Sequence, residues 1–228
     1  MLSKSDSWKM FDQISSTYDR VNRILSLGQD QRWRRKAASY LPLRPHLEVL
    51  DLATGTGDQL TAILKSGFSI QRLIGIDLSE KMLELGRKKF TQPFVELLRG
   101  DAQKLSFSPN QFDAITFSFG IRNVENPLLS LQEIKRVLKP GGKALILEFS
   151  IPPVIIRPFF LFYLRHVLPF LGGLFSKNKG AYQYLNSTIE TFPSGKDFLA
   201  LMHSAGFESL QRHPMNFGAV TLYVGEKR

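Results

Sequence analysis

A short glycine-rich turn between two apolar runs is the part of this sequence best suited to hold a small molecule. The turn Gly55-Thr56-Gly57 follows an apolar run at 49–52, which predicts a buried strand. Glycine lets the backbone turn sharply and approach a ligand closely. Twenty positions after Gly57, Asp77 ends a second apolar run. Strand, glycine turn, helix, strand and terminal acid is the layout of a nucleotide-binding βαβ unit, in which the acid binds ribose hydroxyls.

The residues after the turn indicate which nucleoside it binds. A dinucleotide fingerprint has a third glycine, but here that position is Leu60, and Asp58 directly follows the second glycine. An acid is unfavourable beside a pyrophosphate, whereas S-adenosylmethionine has no phosphate and carries positive ammonium and sulfonium groups. Asp51 or Asp58 could pair with that charge; alternatively, Asp58 only stabilises the start of a helix. The segment with Asp51, Gly55 and Gly57 therefore predicts an S-adenosylmethionine site.

Two later strands supply further candidates for the same site. Asp101 and Ala102 follow a predicted strand at 94–98, where a carboxylate and an amide could hold an adenine edge, although Asp101 could also be a solvated turn acid. Ser118 stands near the end of a predicted fourth strand at 112–119. Ligands of open α/β sheets bind at the carboxyl ends of the strands. Together these positions predict an α/β fold with a Rossmann-like, mostly parallel sheet, typical of class I S-adenosylmethionine-dependent methyltransferases.

Periodicity predicts the elements that carry these residues. Residues 7–41 predict two helices interrupted at 26–28, and Ser79 is expected to cap a third helix. Further helices are predicted at 127–138 and 194–204, and further strands at 143–149, 208–212 and 220–224. We expect one methyltransferase domain over 1–228, made of a helical cap (1–41), a cofactor-binding core (42–150), an apolar insertion (151–190) and a last helix with strands (191–228).

Composition excludes several kinds of chemistry. The 228 residues, 43% hydrophobic, suffice for one α/β domain. With no cysteine, disulfides, thiolate metal sites and cysteine-dependent methylation of pyrimidine C5 are excluded; we expect no bound metal. The first residues lack the apolar core of a signal peptide, which predicts a cytoplasmic protein.

The positive charge lies on the flanks of the predicted core. The net charge of +10 divides into +4 for residues 1–40, +2 for 41–150 and +4 for 151–228. A basic surface fits anionic lipid or nucleic acid, or is simply a soluble surface. An RNA methyltransferase acting on exocyclic amines often carries Asn/Asp-Pro-Pro-aromatic after the fourth strand; residues 118–121 read Ser-Phe-Gly-Ile instead. We therefore expect no nucleic acid partner.

The insertion is more apolar than its surroundings. Residues 155–171 are rich in Phe and Leu, yet Arg157, Arg165 and two prolines argue against a spanning helix of about 20 apolar residues. With Lys177 and Lys179 beside it, the segment predicts peripheral contact with the inner face of an anionic membrane or with an apolar substrate. A homodimer contact, or a helix packed on the core, is the alternative.

One segment carries a specific resemblance to a known family. Residues 136–150, RVLKPGGKALILEFS, resemble without a departure a signature of the quinone C-methyltransferases of menaquinone and ubiquinone biosynthesis. Residues 18–26 are similar to the other signature, with Trp33 at the expected distance. Two positions depart from it: Val21 stands where Met is usual, and Asp30 where His is usual. The resemblance implies a seven-stranded sheet, S-adenosylmethionine as cofactor and a polyprenyl quinol as substrate, demethylmenaquinol first and a methoxy-benzoquinol as the alternative. It places cofactor contacts at Thr56, Asp77, Asp101, Ala102 and Ser118.

The same resemblance suggests where catalysis occurs. A quinol ring carbon is a poor nucleophile until a neighbouring hydroxyl loses its proton. Arg122 and Asn123 follow the fourth strand, and we expect them to orient and stabilise the phenolate, with Arg122 acting as a cation because arginine stays protonated. A water, Asp19, Tyr18 or His166 could take the proton, while His166 could equally be a surface histidine. A membrane-docked subunit without catalysis remains a distinct alternative, although the glycine turn shows no damage.

Overall fold

A computed structural model describes residues 4–170 and 179–228. The prediction for Lys177, and the middle of the predicted insertion, lie outside the described residues. The elements below are numbered along the chain within those ranges.

Seven strands form one sheet in the order β3-β2-β1-β4-β5-β7-β6. Strands β1 to β5 run parallel and β7 runs antiparallel to both of its neighbours, so the predicted Rossmann-like, seven-stranded sheet is confirmed. The strands are β1 Leu47–Leu52, β2 Ile70–Asp77, β3 Val95–Arg99, β4 Phe112–Ser118, β5 Leu138–Phe149, β6 Glu208–Met215 and β7 Val220–Glu226.

Strand β5 begins five residues earlier than the predicted 143–149. The Lys-Pro-Gly-Gly sequence at 139–142 was expected to separate the helix from the strand. It instead enters the sheet irregularly: the register against β4 shifts there, Gly141 has a φ of +72°, and its N–H donates to the carbonyl of Lys227 over 2.6 Å. Backbone pairing with the end of β7 therefore extends the strand through a sequence that favours a turn.

The helices cover both faces of the sheet and its carboxyl edge. They are α1 Ser7–Leu25, α2 Gln29–Ala38, α3 Asp58–Leu64, α4 Glu80–Arg87, α5 Pro127–Val137, α6 Arg157–Phe162, α7 Lys179–Thr191 and α8 Lys196–Ser204, and α6 continues as a π-helical turn over Tyr163–Val167. The predicted cap is confirmed, since the Ser79 hydroxyl accepts a hydrogen bond from the N–H of Met82. The predicted break at 26–28 is also confirmed.

Two apolar layers enclose the sheet and a third lies above its carboxyl edge. Helices α5 and α8 bury Leu131, Ile134 and Phe198 on one face, and α2, α3 and α4 bury residues such as Trp33 and Leu60 on the other. Strand β4 is buried at every position, as expected for a central parallel strand.

The third layer joins α1 to the insertion. Met10, Ile14 and Val21 of α1 pack against Leu164, Leu168 and Ile189. The cap and the insertion thus form a roof over the carboxyl ends of the strands. None of the helices within residues 4–170 and 179–228 has the length and apolar character needed to cross a bilayer.

Candidate functional site

The glycine turn forms the floor of a cavity of about 290 Å³ at the carboxyl ends of β1, β2 and β4. We call it the turn cavity. Helix α1 closes it from the opposite side with Ser7, Trp8, Phe11 and Tyr18. The predicted cofactor residues that line it are Gly55, Thr56, Asp77, Asp101, Ala102 and Ser118. The structure therefore brings residues from four separate loops together, as the strand order requires.

Asp77 fixes the shape of the turn. Its Oδ2 accepts from the N–H of Gly55 over 2.8 Å, and its Oδ1 accepts from the N–H of Ser79 over 2.8 Å. Burial raises the pKa of Asp77 although these hydrogen bonds oppose the shift. Each carboxylate oxygen has a second lone pair, so Asp77 can still accept hydrogen bonds from a ligand's hydroxyls in the turn cavity.

The two glycines of the turn have different tasks. Gly55 has a φ of +57° and a Cβ built there would meet nothing within 4 Å, so its backbone is open to a ligand. Gly57 has a φ of +84°, and its Cβ would lie 2.5 Å from the ring of Phe90. Gly57 does not line the turn cavity. Gly57 therefore has a packing reason to be glycine, and its contact with the cofactor stays a prediction.

Asp51 does not line the turn cavity either. It lies within β1 and is 1% exposed, and its Oδ1 accepts from the Thr116 hydroxyl of β4 over 2.6 Å. Burial raises the pKa of Asp51 to about 6. The other carboxylate oxygen, Oδ2, is buried and has no hydrogen-bond partner among the described residues, and the expected charge contact of Asp51 with the donor stays a prediction. Asp58, by contrast, does line the cavity.

A network of charges ties α1 to the glycine turn. The Thr56 hydroxyl donates to Asp19 Oδ1 over 2.6 Å. Lys89 Nζ donates to Asp19 Oδ2 over 2.7 Å, to the Thr56 hydroxyl over 3.1 Å and to Asp58 Oδ1 over 3.2 Å. A contact between the Ser79 hydroxyl and Asp12 adds a second link from α1. Asp19 thus anchors the helical cap (residues 1–41) to the glycine turn, and it lines the turn cavity.

A second, larger cavity adjoins the first. It measures about 540 Å³ and lies between α1, α2, α6, α7 and the last strands. Because most of its wall is apolar, we call it the apolar cavity. The residues that line both cavities are Phe11, Tyr18, Arg34, Asp58, Phe119 and Asn123. A molecule in one cavity would therefore meet a molecule in the other across this shared wall.

Arg122 lines the apolar cavity and not the turn cavity. Its Nη1 donates to Glu148 Oε1 and to the carbonyl of Phe119, each over 2.6 Å. The guanidinium lies 5.4 Å from the centre of the Phe149 ring. Burial raises the pKa of Glu148 against the opposing charge of Arg122. The arrangement holds a cation in the wall of an otherwise apolar cavity.

Asn123 and Tyr18 lie on the shared wall. The side-chain oxygen of Asn123 is buried and has no hydrogen-bond partner within the described ranges, so it is free to accept from a ligand. Burial raises the pKa of Tyr18, although Arg34 and Arg122 oppose the shift. Tyr18 therefore keeps its proton at neutral pH and offers a hydroxyl donor rather than a base.

His166 lies away from both cavities. It is exposed on the π-helical turn, and the centre of its ring lies 5.0 Å from that of Phe162, with the two rings tilted by 41°. The buried side of this turn is the one that carries Leu164 and Leu168. His166 falls between them and faces solvent, a position that favours the surface-histidine alternative.

Several site residues were not singled out from the sequence. Arg34 lies on the shared wall, 5.3 Å from the centre of the Phe119 ring. Asp30, which the sequence singled out only as a departure from the family signature, lines the apolar cavity, where its Oδ2 accepts from Arg23 over 2.5 Å. Lys89 gave no sequence signal. Glu148 did: it is a lone acid in a strand of apolar residues, which predicts a buried partner.

Comparison with known proteins agrees with this geometry. Residues 2–227 match the model of the ubiE/COQ5 methyltransferase family. The ubiquinone/menaquinone biosynthesis C-methyltransferase UbiE of Geotalea daltonii is 42% identical over 96% of this chain and 95% of its own length. The demethylmenaquinone methyltransferase of Bacteroides fragilis is 42% identical over 96% of this chain and 91% of its own length.

Solved structures agree on the fold. A SAM-dependent methyltransferase from Thermotoga maritima superposes with a TM-score of 0.65 at 23% identity, over 97% of this chain and 99% of its own. A chain from the complex of a methyltransferase with its activator from Haloferax volcanii gives 0.70 at 21% identity, over 95% and 96%. The expected class I methyltransferase fold is confirmed, and the chain belongs to the ubiE/COQ5 methyltransferase family.

Proposed function

We propose that this chain transfers a methyl group from S-adenosylmethionine to a ring carbon of a polyprenyl quinol, with demethylmenaquinol as the first candidate. The observation that carries the proposal is the shared wall of the two cavities. The turn cavity presents the polar groups of four loops, and the apolar cavity presents mainly hydrocarbon. A polar donor and an apolar acceptor would therefore face each other across Tyr18, Phe119 and Asn123.

The turn cavity suits this donor. S-adenosylmethionine supplies a methyl group already activated on a sulfonium. Asp77 can accept from ribose hydroxyls, and Asp101, whose Oδ1 accepts from the N–H of Gln103 over 2.8 Å, lies with Ala102 where an adenine edge would be held. Asp58 adds a carboxylate that is unfavourable beside a phosphate, and Lys89 and Arg23 already compensate part of its charge. Thr56, Gly55 and Ser118 complete the proposed contacts.

The apolar cavity suits a quinol ring with a prenyl tail. Arg122 stabilises the developing phenolate as a buried cation, and Asn123 accepts a hydrogen bond from the second hydroxyl. Holding the two reactants in line supplies a large part of the rate. Tyr18 is a donor on the shared wall, so a water is the proposed proton acceptor in place of Asp19 or His166.

The proposal also covers the extent of the domain, its contact with the membrane and a second candidate acceptor. We propose one domain over 1–228, peripheral contact of α6 with the inner face of an anionic membrane, and a homodimer as the competing use of that surface. A methoxy-benzoquinol is the second candidate acceptor, because the names of the relatives cover both the menaquinone and the ubiquinone pathways. Nucleic acid has no place in the proposal, since the cavity beside the donor is mainly apolar.

Incubation with labelled S-adenosylmethionine and each reduced quinol tests the proposal. We expect label in demethylmenaquinol, and the ratio of turnover between the two quinols to identify the pathway. Label in RNA or protein instead of either quinol would overturn the proposal. Binding of S-adenosylmethionine without any turnover would favour the non-catalytic subunit.

A further inference from the structure

Two exposed apolar side chains flank the mouth of the apolar cavity. Leu27, between α1 and α2, is 88% exposed, and Phe217, between β6 and β7, is 83% exposed. Both also line the apolar cavity, so each borders the cavity on one side and solvent on the other. A single exposed leucine needs no explanation, but apolar residues gathered at one opening mark an interaction surface.

The backbone holds both side chains outward at a cost. Leu27 has a φ of +52°, and Asn216 and Phe217 have φ values of +47° and +57°. Left-handed backbone is unfavourable for residues with a Cβ and persists where the surroundings impose it, often at functional sites. Trp33 Nε1 of α2 donates to Asn216 Oδ1 over 2.9 Å. This bond fixes the Phe217 turn to the helix that begins just after Leu27.

The loop before α6 extends the same surface. Val154, Ile155 and Phe159 are largely exposed, and the loop touches the Phe217 turn closely: a Cβ at Gly218 would lie 3.2 Å from Pro153 Cδ. We call Leu27, Val154, Ile155, Phe159 and Phe217 the apolar rim. Residues 156 and 160, interleaved with the rim, line the apolar cavity, so the rim and the cavity are continuous.

Charge and chemistry favour a lipid surface as the occupant. Arg157 lies in sequence between Ile155 and Phe159 of the rim, and Arg32 lies near the start of α2, five positions after Leu27; both are exposed, and neither has an ion-pair partner in the part of the chain that the structure describes. In a bilayer, such arginines would contact anionic headgroups while the apolar rim contacts the acyl chains. A protein seated on the rim would block the mouth of the apolar cavity, whereas a bilayer dissolves the prenyl tail of the proposed substrate.

We propose that Leu27 and Phe217 insert into an anionic bilayer and open the apolar cavity directly to it, so that the quinol enters laterally from the lipid. The proposal rests on the proposed quinol substrate and deepens it. Ring-first entry would place the reacting carbon at the shared wall while the tail stays at the rim.

The test compares Leu27→Ser/Phe217→Ser with Leu43→Ser. Leu43 is 93% exposed, lies in the loop before β1 at the amino ends of the strands, and lines neither cavity. Flotation uses vesicles of phosphatidylethanolamine and phosphatidylglycerol. Turnover is measured with a long-chain quinol in those vesicles and with a short-chain quinol in water. We expect the loss of each apolar side chain to lower vesicle affinity about tenfold, hence about a hundredfold for the double variant. The ratio of long-chain to short-chain turnover should fall with it. Leu43→Ser should change neither quantity.

A second variant keeps the test independent of folding defects. In Phe217→Trp, the fluorescence of the new tryptophan should shift to shorter wavelength when vesicles are added, because its indole ring leaves water. Unchanged flotation and an unchanged turnover ratio in the double variant would overturn the proposal. So would a dimer that dissociates on Leu27→Ser/Phe217→Ser while vesicle binding persists, since the rim would then join two copies. If the protein methylates neither quinol, the proposed function fails, and flotation alone still decides whether the tips enter lipid.

Discussion

Arg122 and Glu148 form a buried ion pair in the wall of the apolar cavity, with 2.6 Å between Nη1 and Oε1 and side chains that are 5% and 0% exposed. Glu148 sits at the end of β5 and also accepts from the N–H of Phe149 over 2.8 Å. Its carboxylate therefore fixes the guanidinium and compensates its charge when no substrate is present. The Nε of Arg122 has no partner among the described residues, which leaves a donor for the acceptor's oxygen.

Arg122→Ala should lower kcat about a hundredfold, as expected for loss of one charge-stabilising donor, and leave the affinity for S-adenosylmethionine nearly unchanged. Arg122 lines only the apolar cavity, so the donor site keeps its contacts. Steady-state kinetics and calorimetry measure the two quantities. An equal loss of both would show that Arg122 is structural.

The same variant should also lose stability, because it leaves Glu148 buried without its partner. Breaking a buried ion pair costs about 3–5 kcal/mol. Arg122→Met/Glu148→Gln, which removes both charges, should recover most of the free energy of unfolding in urea without recovering turnover. Recovery of turnover in the double variant would contradict an electrostatic role for Arg122.

Lys89→Met should weaken binding of S-adenosylmethionine by about fivefold, equivalent to about 1 kcal/mol. Lys89 joins Asp19 of α1 to the glycine turn, and α1 covers the turn cavity. The loss should shrink at high salt, since the network is partly exposed. Lys88→Met is the matched control, an exposed neighbour outside the network. Equal effects of the two variants would mean that only net charge matters.

Gly55→Ala and Gly57→Ala should separate binding from folding. Both glycines have positive φ, so alanine costs about 1–2 kcal/mol at either position. Gly57→Ala should cost more because its Cβ meets the Phe90 ring. Gly55→Ala should instead lose more affinity for the donor, because Gly55 lines the turn cavity. Thermal unfolding without S-adenosylmethionine measures the loss of stability, and the shift on adding it measures the loss of donor affinity. A larger stability loss in Gly55→Ala, or a larger affinity loss in Gly57→Ala, would contradict these separate roles.

Asp51→Asn should make the free energy of unfolding less sensitive to pH. Burial raises the pKa of Asp51 from 3.8 to about 6. Its contribution to stability is thus fully present below pH 3.8 and lost as pH rises through about 6. Between pH 5 and pH 8 the unmodified protein should lose about 1 kcal/mol relative to the variant. Urea unfolding at both pH values measures this; an increase relative to the variant would show that Asp51 is stabilised as a carboxylate.

The sequence predicted best what is local. The glycine turn, the acid at the end of β2 and the cap at Ser79 each depend on neighbours within a few positions, and all three lie where they were expected. The seven-stranded sheet came from the family resemblance. The bounds of some elements differ: β5 begins early, where pairing with β7 overrides a Lys-Pro-Gly-Gly sequence, β6 extends three residues beyond the predicted 212, and helix α7 was not predicted.

The features that the sequence did not predict depend on contacts between residues far apart in the chain or on the direction of a side chain. Lys89 meets Asp19 across 70 positions, and Arg122 meets Glu148 across 26; no local pattern encodes either distance. The direction of a side chain depends on such contacts too: Asp51 accepts from Thr116 of β4 over 2.6 Å, and His166 is exposed beside Phe162. Packing against β4 determines where the Asp51 side chain lies, and packing against α1 determines which side of the π-helical turn faces solvent.

The most direct measurement is the position of the transferred methyl group. The protein would be incubated with S-adenosylmethionine carrying a deuterated methyl group and with reduced demethylmenaquinol, and the product examined by mass spectrometry and NMR. We predict an intact deuterated methyl group bound to the ring carbon of the quinol. A methyl group on a quinol oxygen, or an unlabelled quinol beside a donor that binds normally, would contradict carbon methylation as the reaction of this site.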